Sequence, residues 1–247
     1  MARVIKHANL PSAPVKLCAI GAGNAETKIS LQRLGISVIE PKPSDGLSFA
    51  EKTHSDMLML HLGRNEIILS KEQEDLKKQL EAFGFTPKML KFHLRSEYPL
   101  NVTLNAAIIK DKFFAHKASI KYYSGDYEFN FYAVKQGYAK CSCCIINDNA
   151  VITEDEGISL VMKKAGLDVL KIKKGEIKLR GMSYGFFGGA TGKLSSNILA
   201  INGELRYNSD KKNISAFLKN YQIDVISLKS GPPEDIGGII PLLEEEK

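Results

Sequence analysis

The chain has 247 residues, enough to bury a sizeable core in one large domain or two small ones. Hydrophobic residues make up 44% and charged residues 25%, with no low-complexity tract, which excludes a disordered or fibrous chain. The net charge of +6 comes from lysines spread along the whole length, so a solvated basic surface is expected rather than a nucleic-acid footprint.

The N-terminal MARVIKHANLPSAPVKLC has no apolar stretch of signal-peptide length, and no run reaches the roughly eighteen apolar residues of a membrane span. A cytoplasmic protein without membrane contact is expected. Cys18 stands alone, while Cys141, Cys143 and Cys144 crowd into KCSCC; reduced thiols are expected rather than a disulfide framework.

Taken in chain order, the apolar periodicity predicts one unit repeated five times, starting near residues 15, 54, 98, 140 and 188 of a single domain spanning 1–247. The first unit is abbreviated: strand VKLCAI, glycine turn GAGN, helix AETKISLQRLG and strand ISVIEP, with little room for a second hairpin strand. Strand, Gly21-x-Gly23, helix, strand and then Glu40 imitate a dinucleotide-binding opening, but Glu26 stands where a third glycine is needed beside a pyrophosphate.

The second unit opens at His54 with HSDMLMLHL, a polar turn GRNE, strand IILS, a helix KEQEDLKKQLEAFG and a closing strand. Leu76, Leu80 and Phe83 form the apolar face of that helix, and Gly84 suits its C-terminal cap. His54 and Asp56 are expected at the mouth of the first strand.

The third unit has NVTLNAAII, turn KDK, strand FFAH and an irregular tail through YEFNFYAVKQG. Its aromatic and basic residues suit either RNA or a strand. The fourth is the clearest copy: strand CSCCII, turn NDN, strand AVIT, helix EDEGISLVMKKAG and strand LDVLKI, with Thr153 as the expected helix cap.

The fifth follows a glycine-rich YGFFGGATGKLSSN, which fails the P-loop spacing because Leu194 follows Lys193, yet exposes backbone amides to a ligand. Strand SNILAI, turn NGE, strand LRY, helix DKKNISAFLKNY and strand DVISL complete the unit; Asn202-Gly203 reads as a hairpin turn. The terminal EEEK reads as a solvated face.

Short strands with one apolar helix face cannot be buried alone, so neighbouring units must share a core. A closed ring, with sheets around an axis and helices outside, satisfies five of them and leaves no open edge. Its mouth would gather the strand openings: His54, Asp56, Asn101, Asn105, Lys140 and Cys141, together with Gly188, Gly189, Asn197 and Asp235 as ligand contacts.

This arrangement resembles the pentein fold, the five-bladed β/α-propeller of guanidino-group modifying enzymes, and most of all an uncharacterised bacterial group common in clostridia. HSDMLML is similar to the His-x-Asp strand of several deiminases. The resemblance implies His54 as general acid/base, Asp56 as guanidinium anchor and a cysteine nucleophile. The C-terminal loop in which these enzymes carry that cysteine reads DIGGIIPLLEEEK here, without a thiol, and the family's His-x-Asp lies in the fourth unit rather than the second.

The residues leave Cys141 or Cys143 as nucleophile candidates, on the same side of an alternating strand, with core packing as the other reading of both. No metal site is expected, because C-x-C-C lacks paired histidine ligands, and no cofactor is expected. Three functions stay open: a thiol-dependent hydrolase or deiminase of an amidine or guanidine-like small molecule, a non-catalytic binding protein like the ribosome anti-association factor of this fold, and a dinucleotide binder. The oligomeric state is not readable.

Overall fold

The computed structural model describes residues 1–123 and 125–246. In chain order its elements are β1 (Ala2–Val4), β2 (Val15–Ile20), α1 (Ala25–Arg33), β3 (Ser37–Ile39), α2 (Ser55–Leu58), β4 (Met59–Gly63), β5 (Glu66–Leu69), α3 (Glu74–Ala82) and β6 (Thr86–Met89). The chain continues through β7 (Ala107–Ile109), β8 (Lys112–His116), α4 (Lys117–Ile120), β9 (Asn130–Val134), β10 (Cys143–Ile145), β11 (Ala150–Thr153), α5 (Glu156–Lys164) and β12 (Asp168–Lys171). It ends with β13 (Thr191–Lys193), β14 (Ile198–Ile201), α6 (Lys211–Asn220), β15 (Asp224–Ser227) and β16 (Ile239–Glu245). No helix among the described residues is long and apolar enough to cross a membrane.

Four sheets have three strands each, an antiparallel pair followed by a parallel third: β4-β5-β6, β7-β8-β9, β10-β11-β12 and β13-β14-β15. The fifth, β1-β16-β2-β3, explains the abbreviated first unit: its missing hairpin strand comes from the other end of the chain. The C-terminal β16 lies antiparallel between β1 and β2 and closes the ring.

Apolar packing follows the same circuit. Leu17 and Ala19 of the closing sheet pack with Met59 and Leu69; Leu60 and Ile68 pack with Ile108 and Phe113; and Ala107 and Phe114 pack with Cys143 and Val151. Cys144 and Ile152 then meet Leu199 and Ile201, and Ala200 returns to Cys18 and Ile20. Each sheet therefore buries one face against each neighbour, which is a five-bladed α/β propeller.

In the terminal EEEK, Glu245 and Glu246 are exposed as expected, but Glu244 is not. Glu244 is only 2% exposed and accepts from the Ser12 amide at 2.5 Å, the Ala13 amide at 3.1 Å and Arg3 Nε at 3.0 Å, because it ties the N-terminal segment to β16. Lys247 lies outside the described residues. In the fifth unit the hairpin sits one segment earlier than predicted: Thr191–Lys193 is the first strand, ILAI the second, and LRY a 3-10 turn. The glycine-rich run thus forms part of the sheet, and Asn202-Gly203 leaves it toward a helix.

Periodicity on α3 is met in part. Leu76 and Leu80 are buried, but Phe83 is exposed, because the helix stops at Ala82 and the chain turns away through Gly84 at φ +86°.

Candidate active site

His54 and Asp56 do not open a strand. They start the single helical turn α2, with His54 as its extended N-cap residue, and β4 begins only at Met59. The cause lies in the C-terminal loop: Gly237 O accepts from the Asp56 amide at 3.2 Å and from Ser55 Oγ at 2.8 Å, so it draws the chain into a turn. Gly237, at φ +78°, packs so closely that a Cβ there would lie 2.5 Å from His54 Cβ. The Gly-Gly loop that lacks a cysteine therefore supports the histidine.

Around His54 the structure gathers residues from four segments. Asp235, in the loop before β16, places Oδ1 3.7 Å from His54 Nδ1. Its carboxylate is fixed by the Phe186 amide at 2.9 Å and the Gly237 amide at 3.0 Å. Cys141, in the turn before β10, donates its thiol to Asp56 Oδ2 at 2.9 Å and accepts from Asn105 Nδ2 at 3.2 Å. One donor atom each from His54, Cys141 and Asp235 lies within 4.8 Å of the others.

Asn105 holds this turn by consecutive amides. Its Oδ1 accepts from the Lys140 amide at 2.8 Å and the Cys141 amide at 3.3 Å, so the amide side chain that contacts sulfur also fixes the sulfur's backbone. Asn101 serves a second carboxylate, donating to Glu51 Oε1 at 3.0 Å and to the Tyr138 hydroxyl at 2.9 Å. Tyr138 in turn donates to Glu51, whose other oxygen accepts from Ser48 Oγ at 2.7 Å. Glu51, Tyr138 and the aromatic wall of Phe186 carried no sequence signal: they lie in irregular segments, where no period marks a face.

His54, Cys141, Asp235, Glu51 and Tyr138 line a cavity of about 230 Å³ walled by Met57, Leu179 and Phe186. Burial, then the charges of Asp56 and Asp235, push the Cys141 thiol well above its ordinary pKa. Burial also raises Asp235, against the stabilising pull of His54. The Asp56 oxygen that does not face sulfur has no hydrogen-bond partner among the described residues.

Other expected site residues lie elsewhere. Cys143 is in β10, inside the core beside Met162 Sδ at 3.9 Å, because Cys141 precedes the strand and shares no alternation with it. Lys140 does not line the Cys141 cavity; with Asn9 it lines two small cavities of about 10 Å³ each. Asn197 ends the β13–β14 turn, where it accepts from Ser195 Oγ at 2.8 Å. Gly188 and Gly189 act by their lack of side chains: a Cβ on Gly189 would meet Asp235 Oδ1 at 2.0 Å. Thr153 does not cap α5; Asp155 does, accepting from the Ile158 amide at 2.8 Å.

The glycine turn of the first unit is engaged by its own acid. Glu40 accepts from the Gly23 amide at 3.2 Å and pairs with Lys28 at 2.5 Å, which closes the acid over its own loop. As donors for a metal, His54, Cys141 and Asp235 are the set whose atoms converge among the described residues.

Known structures share this architecture. SxtG, an amidinotransferase of Microseira wollei, is 10% identical with a TM-score of 0.58 over 91% of each chain. The inosamine-phosphate amidinotransferase of Streptomyces griseus is 11% identical, with a TM-score of 0.58 over 92% of this chain and 91% of that one. The agmatine deiminase of C. jejuni is 9% identical, with a TM-score of 0.52 over 93% and 90%. At such identities the likeness establishes the fold, the pentein propeller. Comparison with curated protein sequences gives no match. The family model that does match, over residues 21–240, is that of a family of unknown function, DUF6873, and the chain belongs to this family.

Proposed function

We propose that the protein is a thiol-dependent hydrolase or deiminase of an amidine or guanidine-like small molecule, with Cys141 as nucleophile, His54 as acid/base and Asp56 as cation anchor. The observation that carries this reading is the convergence of Cys141, His54 and Asp235 within 4.8 Å in a lined cavity. A planar amidinium is the ligand that the two carboxylates lining this cavity, Glu51 and Asp235, would accept, with Asp56 behind the sulfur. The amidinotransferases and the agmatine deiminase of the same fold support the substrate class.

The chemistry follows from the charges. Burial, and after it two carboxylates, hold the thiol proton on sulfur in the free protein. A bound cation offsets them, so the thiol loses its proton to His54 once substrate is present. The thiolate then adds to the central carbon of the amidinium. His54, oriented by Asp235, returns the proton to the departing amine, which leaves the carbon bonded to sulfur. Water, deprotonated by His54, attacks that carbon and expels the thiolate.

Labelling tests this reading. Chloroacetamidine, a cation, should alkylate Cys141 at least about a hundredfold faster than neutral chloroacetamide, because only the cation relieves the carboxylates. Equal rates for the two reagents would refute it.

A second reading has one observation in its favour. The same three donors, with Asp56 beside the sulfur, suit a tetrahedral divalent ion. Cobalt(II) titration would then give a thiolate charge-transfer band that Cys141→Ser abolishes.

A further inference from the structure

The cavity at Cys141 has two kinds of wall. His54, Glu51, Asp235 and the sulfur carry its charge and its chemistry, with Gln136 and Ser183 as neutral polar neighbours. Most of the remainder is carbon. Leu179, Met182, Tyr184 and Phe186 come from one loop, which the antiparallel bridge between Ile177 and Gly185 closes at its base. No step of the chemistry above uses them.

This wall is fixed in place by the backbone. Lys178 donates its amide to Pro233 O at 2.9 Å and accepts from the Asp235 amide at 2.8 Å, so the loop is tied to the segment that carries the acid. Tyr184 meets the Phe186 ring edge-on, at 6.1 Å and 84°, and Tyr138 stacks on that ring at 5.8 Å and 28°. Met182 is 61% exposed at the edge of the same cavity. A thioether left in water beside an aromatic wall is apolar surface that a ligand would cover.

The cavity offers nothing to a charged tail. No lysine or arginine lines it among the described residues, and Lys174 stays with the Tyr184 ring, 5.1 Å from its centroid, outside the wall. A carboxylate on the substrate would meet Glu51 and Asp235 without a cation. A second cation fares no better, since the amidinium occupies those two acids and an ammonium would lose its water against Phe186 and Met182. The larger cavity past His54, of about 520 Å³, does not select a charge either: Lys52, Arg180 and Lys229 in its wall are matched by Glu26, Glu234 and Asp235.

Volume sets the length of the tail. Liquid water fills about 30 Å³ per molecule, so a cavity of about 230 Å³ takes a guanidinium and about four carbon atoms. We propose that one nitrogen of the substrate's amidine bears a short hydrocarbon group with no charge at its end, and that Met182, Tyr184 and Phe186 receive it. This inference rests on the amidine reading of the Cys141 cavity and names the substrate more closely.

Calorimetric binding to a Cys141→Ser variant, which cannot turn the ligand over, separates the two claims. The probes are methylguanidine, n-butylguanidine, 4-guanidinobutyrate and agmatine; the last three share one chain and end in a methyl group, an anion and a cation. Butylguanidine should bind about tenfold tighter than each of the other three. Adding Met182→Ser and Tyr184→Ser, both on the open side of the loop, should bring the ratio of butylguanidine to methylguanidine affinity close to one. Each single substitution reads the same ratio if the double variant folds poorly.

Methylguanidine or either charged probe binding as tightly as butylguanidine overturns the apolar subsite and leaves the amidine reading standing, and so does a ratio that survives both substitutions. Failure of all four to bind overturns the amidine reading and the subsite with it.

Discussion

Glu244 at the ring closure and Asp56, Glu154 and Asp235 near the mouth are all acids with 5% or less of their surface exposed. Glu244 is saturated: backbone amides of Ser12 and Ala13, the Ser12 hydroxyl and Arg3 supply donors to both its oxygens. Asp56 and Glu154 each keep one oxygen without a partner among the described residues. Glu154 spends its other oxygen on the Phe187 amide at 3.0 Å. A carboxylate that holds the fold together is given every donor it can use. Asp56 and Glu154 carry unspent acceptor capacity at a cost to stability, whereas Asp235 spends both oxygens on the Phe186 and Gly237 amides.

The closing acid should give the largest effect. Glu244→Ala leaves Arg3 and two amides without their acceptor inside the sheet that joins the chain ends, and should cost about 4 kcal/mol of unfolding free energy. Urea denaturation reads this directly. A loss below about 1 kcal/mol would mean that β16 closes the ring by apolar packing alone.

Asp56→Asn should behave in the opposite way. It removes a buried charge whose second oxygen has no donor, so stability should hold or rise. The advantage of chloroacetamidine over chloroacetamide at Cys141 should meanwhile fall by about a hundredfold, the cost of losing a charged anchor. A variant that loses stability and keeps that advantage would place Asp56 with Glu244 among the structural acids.

How much of this was readable beforehand depends on periodicity. The fourth unit follows its predicted strand, strand, helix and strand closely, because NDN and KKAG bound runs of clear period. The resemblance to the pentein fold rested on such units and held. The mouth did not follow: α2 forms because Gly237 O, 182 residues from Ser55 in sequence, captures the Ser55 and Asp56 groups, and no local pattern carries that information. Cys141 and Cys143 looked equivalent by alternation, yet only one of them is in a strand. Glu51 and Tyr138 meet across Asn101 from three separate segments, a convergence that only the closed ring creates.

Glu154 sharpens the comparison through pH. Burial first, then the nearby charges of Asp235 and Asp155, raise its carboxyl from 4.5 to about 8. A folded-state pKa raised above the unfolded value means that the folded protein holds the extra proton. The contribution to stability is complete below about 4.5 and is lost as pH rises to about 8. Relative to the wild type, Glu154→Gln should therefore gain about 1.4 kcal/mol per pH unit across that window, since glutamine keeps the neutral form at every pH. Thermal unfolding of both proteins at pH 5, 6, 7 and 8 measures it; parallel curves would show that an unseen donor satisfies Glu154 Oε2.

The smallest effect separates two thiols of one short segment. Cys143 lies among Ile145, Val151, Ile158 and Met162, and burial, as first cause, raises its pKa. Its sulfur lies 3.9 Å from Met162 Sδ. Cys143→Ala removes one buried sulfur from this packing and should cost about 1 kcal/mol. The chloroacetamidine advantage at Cys141 should not change. Cys141→Ala takes away the alkylation site and also the thiol that donates to Asp56 Oδ2, so stability should fall as well, by about 1 to 3 kcal/mol. Mass spectrometry of the labelled peptides, paired with urea titrations of both variants, tests the distinction. Equal labelling of Cys141 and Cys143 would show that the ring opens around β10 in solution, and that the sulfur at the mouth owes its place to packing rather than to the acids beside it.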